Sequence, residues 1–312
     1  MRMHVLVLNY NGRALLEQCL PSIVAAARNA PGACPITVVD NASTDDSLVY
    51  LAEVWPGVNI ALEPNRGLAS FNHVLARMRE RAMLLLNNDV KLDPYAIKPL
   101  LDALEAHDES LFAAPLCWTF DGSVYEGMRT RVRTRFGLIQ GAARVPGFET
   151  AIHQAGLTAS AGPVLMVDRR KFLALGGYDP VYFPGRIEDL DLGFRGWMAG
   201  WTGRYVPESV AYHKGFGSFE PAFGQSGCDD LALRNSFIFT WKNLSYRKLI
   251  EHLTWLPLRA AYAAARGRWG FFRALGGAIQ RLHDVRQTRR MLHQNDPTWG
   301  EREEAFFREF AW

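Results

Sequence analysis

Several features that mark whole classes of protein are scarce or missing in this sequence. Four cysteines occur among 312 residues, at Cys19, Cys34, Cys117 and Cys228. They share no metal-ligand spacing, which excludes a zinc module, and they are expected to be reduced core thiols of a cytosolic protein. No stretch approaches the roughly 20 consecutive apolar residues needed to cross a bilayer. The apolar run within MRMHVLVLNY is too short for a signal peptide. A soluble protein, at most peripheral on a membrane, is therefore expected. No G-x-G-x-x-G follows the first strand candidate, and no G-x-x-x-x-G-K-[ST] occurs anywhere, so any bound phosphate must be held by something else. No Ser/His/Asp or Cys/His set suggests nucleophilic catalysis. The net charge of +3 says little until its distribution is seen, and no nucleic-acid partner is expected.

What is present reads as an α/β protein. Hydrophobic residues at 48% and charged residues at 21% are those of an ordinary globular chain. The length holds one large α/β domain with an appendage, or two domains. Buried-strand runs recur at Val5–Leu8, Pro35–Asp40, Val58–Leu62 and Ala82–Leu86. Helical periodicity separates them: Leu15, Leu16, Cys19, Leu20, Ile23 and Val24 after the first, and Leu68–Met78 after the third. Ser43 or Thr44 is expected to cap the helix after the second strand, with Asp45 and Asp46 in its first turn. This alternation predicts βαβ units and a parallel sheet. Further strands are expected near Leu111–Leu116, at Ser160–Asp168, and as two short pieces at Trp201–Pro207 and Ser209–His213, with Trp118–Ser160 irregular. From about Cys228 the chain reads as helical.

The first candidate site lies at a strand end. The run Met83–Leu86 stops in Asn87-Asn88-Asp89. Ligands of parallel sheets bind beyond the carboxyl ends of the strands. A carboxylate there, among amides that can only hydrogen-bond, suits a hard divalent cation. The second is Glu188-Asp189-Leu190-Asp191, three acids within four residues at a helix start. A helix N-terminus relieves part of their repulsion, and Arg195 is spaced to pair with Asp191. His213 closes a strand and precedes a Gly-rich loop, which suggests approach to a ligand.

Two basic features have open readings. Arg129, Arg131, Arg133 and Arg135 alternate with other residues and would share one strand face, either solvated or binding. Between Tyr246 and Gln294 there are ten Lys or Arg and two acids, interleaved with Trp255, Trp269, Phe271 and Phe272. Such helices lie on an anionic membrane surface, or pack on the core with a solvated basic face. Gly267, Gly270, Gly276 and Gly277 predict at least two helical pieces.

Together these segments resemble the family 2 inverting glycosyltransferases, and among them the bacterial rhamnosyltransferase-like members. The resemblance is carried by VLNYNG (Val7–Gly12), VVDNASTDDS (Val38–Ser47), NRGLASFN (Asn65–Asn72), LLLNNDV (Leu84–Val90), GGYDPVYF (Gly176–Phe183), EDLDLGFR (Glu188–Arg195), AYHKGFGSF (Ala211–Phe219) and RNSFIFTWKN (Arg234–Asn243). It implies a GT-A fold: a mainly parallel sheet flanked by helices, with catalytic residues 1–225 and a C-terminal basic helical region, 226–312. It implies that Asp40 hydrogen-bonds a nucleotide base and that Asn65, Arg66 and Gly67 line base and ribose. It places Asn9, Asn11, Asn87 and Asn88 around the donor, Asn87 standing where the family's metal motif has its first acid. It implies Asp89 and His213 as ligands of Mn2+ or Mg2+, and Asp189, beside Glu188, as the general base.

An inverting sugar transfer needs one carboxylate to take the acceptor's proton and a metal to stabilise the leaving diphosphate. The expected activity is transfer from dTDP-rhamnose or a UDP-sugar to a glycan or lipid-diphosphate-linked glycan in cell-surface polysaccharide synthesis. The expected place is the cytoplasm, peripheral on the inner membrane face. The second reading is a catalytically silent nucleotide-sugar-binding or scaffold subunit. Donor hydrolysis with Mn2+ separates the two.

Overall fold

Runs of Val, Leu, Ile and Met form the inner strands, because residues covered on both faces need not alternate with polar ones. In chain order the first half of the computed structural model is β1 (Met3–Asn9), α1 (Arg13–Arg28), β2 (Ile36–Asp40), α2 (Ser47–Val54), β3 (Asn59–Leu62), α3 (Ser70–Arg77), β4 (Ala82–Asn87), β5 (Val90–Leu92), α4 (Ile97–Glu105) and β6 (Ser110–Thr119). Then come β7 (Tyr125–Gly127), β8 (Arg131–Arg135), β9 (Leu138–Ala142), α5 (Phe148–Ala151), β10 (Gly156–Leu157), β11 (Val164–Asp168), α6 (Arg169–Ala174), α7 (Glu188–Met198) and β12 (Thr202–His213). The C-terminal helices are α8 (Phe219–Asn243), α9 (Tyr246–Ala265), α10 (Trp269–Gln280), α11 (Leu282–Leu292) and α12 (Trp299–Glu309). The structure describes residues 1–215, 219–293 and 296–312. Phe216 to Ser218 of the Gly-rich loop, and Gln294, lie outside the described residues.

Among the described residues, one sheet runs β10-β12-β6-β11-β4-β1-β2-β3, with β5 on β12 and β7 on β6. Strands β4, β1, β2 and β3 are parallel. Strand β11 runs antiparallel between β4 and β6, and β12 lies parallel to β6. The C-terminal ends of β1, β2 and β4 therefore share one edge with the start of β11 and the end of β12. Helix α4 shows how the layers close: it buries Ile97, Leu100, Leu101 and Leu104, one stripe at helical spacing.

Four expectations are corrected here. Helix α2 begins at Ser47, so Asp45 and Asp46 precede it and no side chain caps it. Ser43 and Thr44 instead bond back to the ends of β1 and β2. The two short strands before His213 are one strand with a register shift between Val206 and Val210. Pro207 lies in that shift and has no N–H to give a ladder. The segment 118–160, read as irregular, holds the β8–β9 hairpin and three further short elements. Arg129 lies outside β8 and donates to the carbonyl of Gln154. Arg131 donates to the carbonyl of Glu309, and Arg133 covers the Trp312 ring at 4.5 Å. Two of the stripe's arginines thus hold the chain's C-terminal end.

A second apolar core lies between α7, the β8–β9 hairpin and the C-terminal helices. Phe194 of α7 packs edge-on against Phe239 at 5.4 Å and Phe306 at 5.0 Å. Burying each such ring contributes about 1.5–3 kcal/mol. Helix α7 is held from the sheet side too, since a Cβ at Gly193 would stand 2.0 Å from the carbonyl oxygen of Ala159. Only glycine lets the helix come this close.

Candidate active site at the strand ends

A chain of short polar side chains ties the strand ends together. Asn88 donates to Asn9 Oδ1 at 2.8 Å, and Asn9 donates to Asp40 Oδ2 at 3.0 Å. Asp40 is fully buried and also accepts from the Ser43 N–H at 2.8 Å and its hydroxyl at 2.7 Å. Asn11, at φ 46°, accepts the Thr44 N–H at 2.7 Å. Gly12 leaves room for this chain of amides, since a Cβ there would stand 1.9 Å from Asn88 Nδ2 and 2.5 Å from Asn9 Oδ1 and displace them. Asn41 donates to the Gly67 carbonyl at 3.2 Å, while its own buried Oδ1 has no hydrogen-bond partner. Asn65 accepts the Gly67 N–H at 3.1 Å. The turn of Asn65, Arg66 and Gly67 is thereby fixed against the end of β2. Asn41 is a candidate that sequence reasoning passed over; it sits beside Asp40 in the same motif, and no spacing rule distinguishes the two.

Asp89 follows β4 and is buried. Its Oδ1 has no partner, and its Oδ2 lies 3.4 Å from His213 Nε2. The other ring nitrogen of His213 lies 3.0 Å from Glu126 Oε2. Burial acts to lower the His213 pKa, but hydrogen bonds and charge from Asp89 and Glu126 win and push it up to about 9. The backbone holds the pair in place, with the Lys214 N–H donating to the Asp89 carbonyl at 3.0 Å. Glu126 was not legible in sequence, because β7 reaches His213 only through its place beside β6. Among the described residues no group of three or more His, Cys, Asp or Glu is gathered as a ligand cluster.

The acidic helix start divides its carboxylates between two jobs. Asp191 points inward and is fully buried. It meets Arg195 at 2.7 Å, as its spacing predicts, and Lys242 at 2.7 Å; it accepts from Asn243 at 2.6 Å and Tyr182 at 2.9 Å. Burial alone would raise its pKa, but Arg195 and Lys242 hold it well below the usual carboxylate range. Glu188 and Asp189 remain on the site side. Asp189 Oδ2 accepts the Gly162 N–H at 3.2 Å, and the adjoining Pro163 carbonyl accepts the Asn87 N–H at 3.1 Å. Two short links therefore join the second acidic site to the strand end that carries Asn87, Asn88 and Asp89. Glu188 lines a narrow cleft with Arg66, Tyr178 and Pro184. Its Oε2 is enclosed without a partner, and burial, then the charge of Asp189, raises its pKa to about 8.

The loop before α7 is strained. Arg186 and Ile187 both have positive φ, at 81° and 73°. A β-branched residue there is a marked outlier, and such strain persists only when neighbours over-determine it. Asn235 on α8 supplies that constraint by donating to the carbonyls of Tyr182 at 3.0 Å, Gly185 at 2.7 Å and Arg186 at 2.7 Å. Arg234 adds a bond to the Phe183 carbonyl at 2.8 Å.

This architecture and these motifs have counterparts. Two strains of Mycobacterium tuberculosis (CDC 1551 / Oshkosh and H37Rv) hold an N-acetylglucosaminyl-diphospho-decaprenol L-rhamnosyltransferase that is 32% identical over 240 residues, covering 67% of this chain and 75% of the relative. The structure of S. aureus TarS 1-349 in complex with UDP-GlcNAc aligns with a TM-score of 0.54 at 15% identity, over 99% of this chain and 90% of that one. The mannosyltransferase PcManGT from Pyrobaculum calidifontis, in complex with GDP-Man and Mn2+, aligns with a TM-score of 0.52 at 16% identity, over 99% and 85%. Those likenesses carry the fold, which is GT-A. The profile of Glycosyl transferase family 2 matches residues 4–164, and on that match this chain belongs to glycosyl transferase family 2 and is a glycosyltransferase.

Proposed function

We propose that the chain moves a sugar, with inversion, from dTDP-rhamnose or a UDP-sugar to a lipid-diphosphate-linked glycan. The observation that carries this reading is the pair of separate carboxylate stations on one sheet edge, Asp89 with His213 and Asp189 with Glu188. Glycoside hydrolysis would need both carboxylates on one sugar. In-line transfer needs one at the donor diphosphate and one at the acceptor hydroxyl.

Asp189 takes the acceptor's proton. Glu188 keeps its own proton at neutral pH, which leaves Asp189 as the proton acceptor of the pair. The unpartnered Asp89 Oδ1 fits a hard divalent cation, and His213 backed by Glu126 has the carboxylate–imidazole arrangement of metal ligands. Asp89 and His213 would hold Mn2+ or Mg2+, which supplies charge neutralisation to the departing diphosphate. Asn9, Asn11, Asp40, Asn41 and Asn65–Gly67 form the floor for nucleoside and ribose, with Asp40 acting at the base directly or by holding Asn9 and Ser43. Asn87 and Asn88 offer amides to the sugar and phosphates.

The acceptor class is supported by the relative, whose name specifies GlcNAc on diphospho-decaprenol. It is supported also by α9, which buries only His252 and Ala263 of its 20 residues. Tyr246, Ile250, Leu253, Leu258 and Tyr262 on that helix are all more than half exposed. We read residues 1–225 as the catalytic part and 226–312 as the part that meets an anionic cytoplasmic membrane face. The test is incubation with dTDP-rhamnose or UDP-sugars and a prenyl-diphosphate-linked GlcNAc, read by mass spectrometry. A product heavier by one sugar is expected; release of nucleotide with no product from any donor contradicts the reading.

A further inference from the structure

The C-terminal helices enclose a groove of about 800 Å³ that the chemistry above does not use. This is the size of a ligand site rather than a packing defect. Leu253 and Leu256 of α9, Leu275 and Ile279 of α10, and Leu282 and Val285 of α11 line it. Ile279 is 54% exposed, so the groove opens at the surface. At its other side stand Arg286, Arg289 and Arg290, one helix turn of α11, with no acid lining the groove. Arg289 is 9% exposed. Its Nη1 is fixed on the carbonyls of Leu244 at 2.6 Å and Trp241 at 3.0 Å, and its guanidinium stands 4.7 Å from the Tyr246 ring centroid. Its Nη2 is buried with no hydrogen-bond partner, and among the described residues only the Tyr246 side chain and the charge of Glu303 offset its burial. An enclosed guanidinium with an unused donor is costly unless an anion completes it.

We propose that this groove binds the polyprenyl diphosphate carrier of the acceptor, the first isoprene units along the leucines and the diphosphate against Arg286, Arg289 and Arg290. The inference rests on the lipid-linked acceptor reading above. Apolar walls alone would take any acyl chain. The three guanidiniums at one end favour a ligand with concentrated negative charge next to its chain, and a prenyl diphosphate has that form. Ordinary phospholipid is the competing occupant.

The test is equilibrium binding of geranylgeranyl diphosphate to the full chain without donor, with inorganic diphosphate, geranylgeraniol and a short-chain, monomeric phosphatidylglycerol as competitors. Geranylgeranyl diphosphate is expected to bind at least about tenfold more tightly than either half alone, since chain burial and charge pairing both contribute. Ile279→Glu with Leu253→Glu, and separately Arg286→Glu with Arg290→Glu, change exposed positions. Each pair is expected to weaken binding about tenfold or more, while donor hydrolysis stays at the wild-type rate. Equal binding of the diphosphate and the alcohol, or full displacement by phosphatidylglycerol, overturns the proposal. So does loss of hydrolysis in parallel with loss of prenyl binding. Prenyl binding by a wild-type chain that transfers no sugar would strike the transferase reading and leave the groove standing.

Discussion

Glu188 and Asp189 are neighbours in sequence with opposite circumstances. Asp189 has a backbone donor at Gly162, while an oxygen of Glu188 is enclosed without one. Asp189→Asn keeps shape and removes proton affinity. Turnover should fall about 10²–10⁴-fold while nucleotide diphosphate affinity holds, as read by parallel kinetics and calorimetry. Glu188 makes a prediction about pH. Burial and the neighbouring charge of Asp189 raise its pKa from the ordinary 4.5 to about 8 in the folded state. Between those values the folded state binds more protons than the unfolded one, so this group makes stability fall as pH rises. Melting curves from pH 5 to 8 should therefore show a downward slope that flattens in Glu188→Gln; an unchanged slope would show that Glu188 is not the source. Asp89 is legible in sequence because an apolar run breaks at it. Its partner Glu126 is not, since the two meet only through pairing of distant strands.

The C-terminal helices bear on the site through a buried knot and a loop clamp. Lys242 of α8 is fully buried and reaches both Asp191 and Asp179 at 2.7 Å. Replacing Lys242 with Met leaves Asp191 partly uncompensated in the interior. Removing one member of a buried pair costs about 3–5 kcal/mol, which chemical denaturation would register. The Asp191 contribution is complete above its unfolded pKa and is lost as pH falls through the depressed folded value. Asn235→Ala frees three carbonyls of the strained loop before α7. It should lower turnover more than nucleotide affinity; an unaltered kcat would show that the loop holds without its clamp. The inner strands are readable from their apolar runs, because burial on both faces leaves that signature. The β8–β9 hairpin and the start of α2 are not. The hairpin's apolar residues face α7 and the C-terminal helices, which lie far off in sequence, and Ser43 and Thr44 bond back to the ends of β1 and β2 rather than capping a helix.

Across the whole molecule, charge and apolar exposure fall together on α9 to α11, where Trp269 is 63% exposed. Phe271 is buried there, and Trp255 leans on Phe136 at 4.9 Å, so only part of the aromatic set is left for a membrane. Co-sedimentation should require anionic vesicles and weaken with salt, because each nearby Lys or Arg contributes about 1 kcal/mol that screening reduces. Equal binding to neutral vesicles would remove the electrostatic part of this account. The central claim is that donor and acceptor chemistry occupy two separate carboxylate stations. The most direct measurement is nucleotide diphosphate affinity with and without Mn2+ in wild type, Asp89→Ala and Asp189→Asn. The account predicts that Mn2+ strengthens binding in wild type and Asp189→Asn, and has no effect in Asp89→Ala. Mn2+-dependent binding that survives Asp89→Ala, or vanishes in Asp189→Asn, would contradict it.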